Sequence, residues 1–201
     1  RASTPGDAVD HPSSCTDTSK PAVIGLPASA CRTIGLILPQ SDDAVLEQMI
    51  IAQLEKRGIK GVAGEGRNFR WHQLGAAGPL AILSVDVLAD PFPEPLAVPH
   101  ATDYTAALRL SQLPQGHIVV IEEQGDAILA AGYQGKLFHS HIVGQHSDDI
   151  ADLAQDIQLT RLSLEAQQDF GLITGVTLVG SWSSQARAEL TGATRLPVEL
   201  T

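Results

Sequence analysis

Short apolar runs alternate along this chain with polar stretches rich in glycine and proline, and the spacing inside each run predicts its element. Ala22-Val23-Ile24-Gly25-Leu26 and Thr33-Ile34-Gly35-Leu36-Ile37-Leu38, each followed by a proline, read as two strands. Leu46, Met49, Ile50 and Leu54 then recur at helical spacing. Ser41 is the expected cap of that helix, Asp42 and Asp43 oppose the positive end of its dipole, and Lys56, Arg57 and Gly58 supply the stop. Phe69 to Leu74 alternates like a half-buried strand, and Leu80 to Val85 reads as a more buried one. Four prolines between Asp90 and Pro99 forbid regular structure there, and a helix is expected over Tyr104 to Gln112.

From His117 the pattern sharpens. The segments His117 to Glu123, Ala127 to Tyr133 and Leu137 to Val143 are joined by Gln124-Gly125-Asp126 and Gln134-Gly135-Lys136, connections of hairpin length that predict an antiparallel meander. Ser147 is the expected cap of a long helix with Asp148 and Asp149 in its first turn, Ile150, Leu153, Ala154, Ile157 and Leu164 on one face, and Gly171 as its stop. A strand from Val176 to Gly180, a helical stretch from Gln185 to Leu190 and a closing strand from Pro197 to Leu200 complete the order βββαβαβ. That is the order of a ribonuclease-H-like half. The expected class is α/β with two lobes of mixed sheet: residues 1–20 a disordered tail or linker, 21–115 a first, partial lobe, and 116–201 the second.

Composition narrows the partners. Hydrophobic residues are 43% and charged residues 18%, ordinary for a chain that folds. Residues 1–20 are the exception, with too few large apolar side chains to offset the entropy lost on ordering. The chain opens on Arg1, with no signal core behind it, so a fragment lacking its true start is expected. No apolar run approaches the ~20 residues that cross a bilayer, so no direct membrane insertion is expected. With 13 Lys+Arg against 23 Asp+Glu the net charge is −10, which repels nucleic acid and anionic lipid. Protein surfaces or neutral ligands remain. Cys15 and Cys31 are too few for a disulfide framework and lack a second Cys/His pair for zinc, so a reduced cytoplasmic state is expected.

The string Ile24-Gly25-Leu26-Pro27 through Arg32-Thr33-Ile34, then Leu38-Pro39 and an acid-capped helix ending Gln53-Leu54-Glu55-Lys56-Arg57-Gly58, resembles the first lobe of the actin-like proteins of type IV pilus and type II secretion assembly platforms. From Ile118 to Leu200 the meander, acid-opened helix, glycine-ended strand and final Leu-Pro-Val-Glu-Leu are similar to the second lobe of that group. The resemblance implies the actin-like ATPase fold and a cytoplasmic scaffold held at the inner membrane by pilus or secretion subunits. Self-association into a homodimer is a further expectation. PilM-like members of the group bind ATP, whereas the cytoplasmic domains of type II secretion L proteins have weakened or lost nucleotide binding.

The residues favour the second behaviour. An ATP site needs glycine in the phosphate-facing turn of each lobe and an acidic residue for Mg. Here the second-lobe turn is Ile121-Glu122-Glu123-Gln124-Gly125-Asp126, with two carboxylates where the group has a small residue. A carboxylate ~4 Å from a phosphate oxygen is opposed by about 1 kcal/mol in water and ~4 at an intermediate dielectric. The glycine run for adenosine has become Leu178-Val179-Gly180-Ser181-Trp182-Ser183, and no first-lobe phosphate hairpin is recognisable. Gly125 and Gly180 would be the cofactor contacts if ATP and Mg were bound; the leading expectation is no cofactor and no turnover.

Other constellations carry less. His139 and His141 share a strand face with His146 just beyond, but no Cys or well-placed carboxylate joins them, so partly exposed strand residues on an uncovered face are expected and no metal. No Gly-x-Ser-x-Gly elbow occurs. Trp71, Phe138 and Trp182 lie outside the clear core stripes and are the candidate partner contacts. The leading reading is a non-catalytic scaffold. The alternatives are an ATP-binding member of the same machinery and an unrelated small-molecule enzyme using the cleft between lobes.

Overall fold

The computed structural model describes residues 22–59, 68–94, 101–123, 125–145, 150–167 and 170–201. The expected tail with Cys15, and His146, Ser147, Asp148 and Asp149, lie outside the described residues. The elements in order are β1 (Ala22–Leu26), β2 (Cys31–Pro39), α1 (Asp43–Lys56), β3 (Phe69–Ala77), β4 (Leu80–Leu88), β5 (Ala101–Ala106), a 3-10 turn (Ala107–Leu110), β6 (His117–Glu123), β7 (Asp126–Tyr133), β8 (Lys136–Gln145), α2 (Ile150–Glu165), β9 (Gly175–Val179), α3 (Ser184–Thr194) and β10 (Val198–Leu200).

The carboxyl half keeps the expected order βββαβαβ. β6, β7 and β8 form the antiparallel meander, and β9 and then β10 add in parallel beside β6. β6 is thus central, and its residues are apolar on both faces as a doubly covered strand requires. Ile118 and Val120 pack with Leu153, Ile157 and Leu164 of α2 and Leu190 of α3, while Val119 and Ile121 pack on the opposite face with Leu26 and Leu113. In the amino half β2, β4 and β3 are antiparallel neighbours, and Leu46, Ile50 and Leu54 of α1 bury against Ile34, Leu36, Leu83 and Val85.

The two halves join edge to edge. β2 meets β8 with Thr33 opposite Ser140, giving one eight-stranded sheet ordered β10-β9-β6-β7-β8-β2-β4-β3. Gly35 shows why the seam can close: a methyl at its α-carbon would overlap the Phe138 ring, so only glycine leaves room for it.

Two local expectations are corrected. The cap of α1 is Asp42, not Ser41. The Asp42 side chain accepts from the Val45 amide at 2.9 Å, which a residue one position earlier is set back from reaching. The helix expected over Tyr104 to Gln112 is a strand followed by a single 3-10 turn. β1 pairs in parallel with β5, Ile24 beside Tyr104, and Tyr104 and Thr105 suit that pleated pairing better than a helix.

Candidate functional site

Of the expected site residues of the second half, Gly180 and Trp182 lie together beside Glu122. Gly180 closes β9 with φ +115°, a conformation that side chains resist, and its missing Cβ would sit 3.4 Å from Glu122 Cβ, 3.6 Å from Glu122 Oε2 and 3.8 Å from Trp182 Nε1. The indole is fixed there, since Nε1 donates to the Val179 carbonyl at 3.1 Å. Gly125, with φ +88°, forms the exposed turn between β6 and β7, and Glu123 pairs across that turn with Asp126. Three carboxylates therefore border one turn, a field that opposes a polyphosphate.

Glu123 has a second engagement that the sequence does not show. Its Oε2 accepts from the backbone amide of Ala28 at 2.9 Å, in the turn between β1 and β2. A carboxylate of the second half thus binds a first-half backbone N–H directly, an interaction that an anionic ligand could otherwise make.

The candidate contact residues separate. Phe138 is buried, 0% exposed, with its ring centroid 4.8 Å from that of Phe170, so its assignment as a partner contact is corrected to core. Being the knob over Gly35, it has no surface to offer. Trp71 is half-buried against the α1 cluster and Trp182 half-buried against the α2–α3 cluster.

Sequence reasoning missed a buried polar network between the sheet and the 3-10 turn. Arg109 grips Asp86 in a bidentate pair, Nε to Oδ2 and Nη2 to Oδ1 both at 2.6 Å, and Nη2 also donates to Ser84 at 2.8 Å. Thr33 donates to the same carboxylate at 2.8 Å and Thr105 at 3.2 Å, while His72 Nε2 stands 3.6 Å away. Burial alone would raise the Asp86 carboxyl, but the contacts of His72, Arg109 and Thr33 and the Arg109 charge hold it well below the usual carboxylate range. Only a short sequence signal existed: two polar residues, Ser84 and Asp86, in an otherwise apolar strand. Cys31 is buried nearby, and burial, then Asp86, push its thiol up to about 12 against the opposing charge of Arg109, which disfavours the thiolate.

A groove of about 870 Å³ runs along the face of β6, β9 and β10 that the helices leave open. Val119, Ile121 and Val179 line it, with His117 bonded to Thr177 at 2.9 Å. The stretch from Ser111 to Gln115, just before β6, forms its other border. His139 and His141, expected to be partly exposed, are half-buried and joined ring to ring, Nε2 to Nδ1, at 3.0 Å.

No family model matches the chain, and no curated protein matches it. Among solved structures it is similar to a PilM–PilN type IV pilus biogenesis complex, with 11% identity over 89% of this chain and 68% of that one, at a TM-score of 0.53. The fold is actin-like. Two further structures are similar at lower scores. One is the cytoplasmic domain of EpsL, an inner-membrane component of the type II secretion system of Vibrio cholerae, with 14% identity over 86% of this chain and 73% of that one, TM-score 0.42. The other is a Bacteroides thetaiotaomicron protein with an actin-like ATPase fold, with 12% identity over 90% and 68%, TM-score 0.45. Within the actin-like fold, the ribonuclease-H-like half is the segment β6 to β10.

Proposed function

We propose that this chain is a non-catalytic actin-like scaffold in the inner-membrane assembly platform of a type IV pilus or type II secretion machine, acting through protein contacts. The observation that supports this reading is the Glu123–Ala28 bond together with Glu122 and Trp182 around Gly180. Where an ATP-binding relative would admit phosphates and a nucleoside, this chain carries its own carboxylates and an indole. The likeness in fold to a PilM–PilN complex suggests the machinery, and the partners are then membrane-anchored pilus or secretion subunits that hold a cytoplasmic scaffold at the bilayer. Among the described residues no helix is long and apolar enough to cross a membrane.

A contact surface is available on α2. Leu159 and Leu162 are 55% and 63% exposed, stand one turn apart, and point away from the face that carries Leu153, Ile157 and Leu164. Covering such side chains contributes roughly 1.5–3 kcal/mol each when burial is complete. The test is capture of solubilised inner-membrane pilus and secretion subunits on the immobilised chain, with and without enzymatic removal of ATP. The reading expects the same subunit to be retained in both; retention that vanishes with ATP removal favours the ATP-binding alternative, and no retention of any such subunit contradicts the scaffold.

A further inference from the structure

We infer that the groove along β6, β9 and β10 is a binding site for a small amphipathic amine, held as its monocation with the hydrocarbon body on Ile121 and Val179 and the ammonium against Glu199. The inference goes beyond the scaffold reading, and neither Gly125 nor Gly180 lines the groove.

The pairing of three strands sets out the floor. Val119 lies beside Thr177 and Thr177 beside Glu199; one row further on, Ile121 lies beside Val179. Both rows share the face opposite α2 and α3, because the intervening Ile118, Val120, Val176 and Leu178 pack with the helices. Ile121 is half-buried and Val179 is 36% exposed, so apolar surface is open to a ligand there. Glu199 stands diagonal to Val179, about 8 Å away by the ordinary strand spacing and rise. That separation matches an amine set two carbons off a six-membered ring.

The groove is held in shape by the chain itself. In its wall the Leu113 amide donates to the Gly135 carbonyl at 3.1 Å, Gln115 pairs with Gly132, and Gln115 Oε1 accepts from the Gln134 amide at 2.7 Å. On the floor the His117 ring fills the space over Gly175, where a Cβ would stand 2.8 Å from Cε1 and Nε2, and its Nδ1 is bonded to the Thr177 hydroxyl at 2.9 Å. The Thr201 hydroxyl donates to the Leu178 carbonyl at 3.2 Å. A site tied on both sides needs little ordering when the ligand arrives. Its volume of about 870 Å³ is that of a small-molecule site.

Charge selects the ligand. Glu199 supplies the one carboxylate among the lining residues, and neither lysine nor arginine joins it; Lys136, next after Gly135, is exposed but does not line the groove. Among the described residues Glu199 makes no ion pair. The chain as a whole carries a net charge of −10. An anion is therefore opposed, a neutral molecule gains the apolar contact alone, and a cation with a hydrocarbon body gains both.

The test is a titration of the whole chain near neutral pH, at constant ionic strength, with phenethylamine, phenethyl alcohol and hydrocinnamate, which join similar hydrocarbon bodies to a cation, a neutral group and an anion. The imidazole resonances of His117 report the groove, with His139 and His141, which do not line it, as internal controls. The site predicts a saturable shift at His117 with little change at the other two, tightest for the amine and weakest for the carboxylate. Glu199→Gln should weaken the amine about two- to fivefold, the range of an exposed ion pair, and leave the alcohol unchanged. Glu189→Gln, on α3 outside the groove, should alter neither. Val179→Thr should weaken amine and alcohol alike. A linear response, an alcohol or carboxylate that binds as tightly as the amine, or an unchanged amine affinity in Glu199→Gln would overturn the proposal. None of these outcomes bears on capture of a membrane subunit.

Discussion

Arg109 holds a buried charge pair in the amino half. Its guanidinium is the charge partner of Asp86, whose side chain is 2% exposed, and it ties the 3-10 turn after β5 to β4. Removing one member of a buried pair strands the other, which costs about 3–5 kcal/mol, so Arg109→Met should lower the urea midpoint sharply while a surface arginine change such as Arg187→Met should not. The same residues set the acid response. The Asp86 carboxyl is lowered on folding, so its contribution is complete above the ordinary value of 3.8 and is lost as pH falls below it. His139 acts in a higher window with the same sign. The unfolded imidazole takes its proton near 6.5 and the folded one only at about 3, so between those values the unfolded state binds more protons and stability falls as pH is lowered. Urea midpoints measured from pH 7 to pH 4 should therefore decline, and His139→Asn should flatten that decline. Glu123 is a smaller case: Glu123→Ala removes a charge-assisted bond to Ala28 and should destabilise by about 1–3 kcal/mol in the same assay.

At the scale of elements, the meander β6–β7–β8 was legible because glycine-bearing connections punctuate three strands, and α2 because its buried positions repeat at helical spacing. β5 was not legible, because its partner β1 lies far away in sequence and a parallel pairing leaves no local turn signal. Glu122 and the pair Gly180 and Trp182 stood out in the sequence as two separate strings, and only the pairing of β6 with β9 brings them together. The Glu123–Ala28 bond was not, since its partners are 95 residues apart, and the Asp86–Arg109 pair is visible only once β4 and the 3-10 turn are packed. Phe138 misled for a related reason. Its burial depends on Gly35 of another strand, which no pattern within β8 reveals. The outer face of α2 carries its own prediction: Leu159→Asp with Leu162→Asp should leave the urea midpoint close to that of the unchanged chain, because both side chains are already exposed, yet abolish retention of the membrane subunit.

For the whole molecule, one sheet runs through both halves, so the turn after β1 and the turn after β6 are held near each other by the same scaffold that holds the core. Their separation is closed by Glu123 and bordered by Glu122 and Asp126, in a chain of net charge −10. On the scaffold reading proposed above, these carboxylates stand where a nucleotide-binding relative would admit phosphate. Thermal unfolding of the chain with and without millimolar Mg-ATP measures this most directly, because a ligand bound to the folded state alone raises the midpoint by mass action. The account predicts coincident curves; a rise of several degrees with Mg-ATP, absent with magnesium chloride alone, would contradict it.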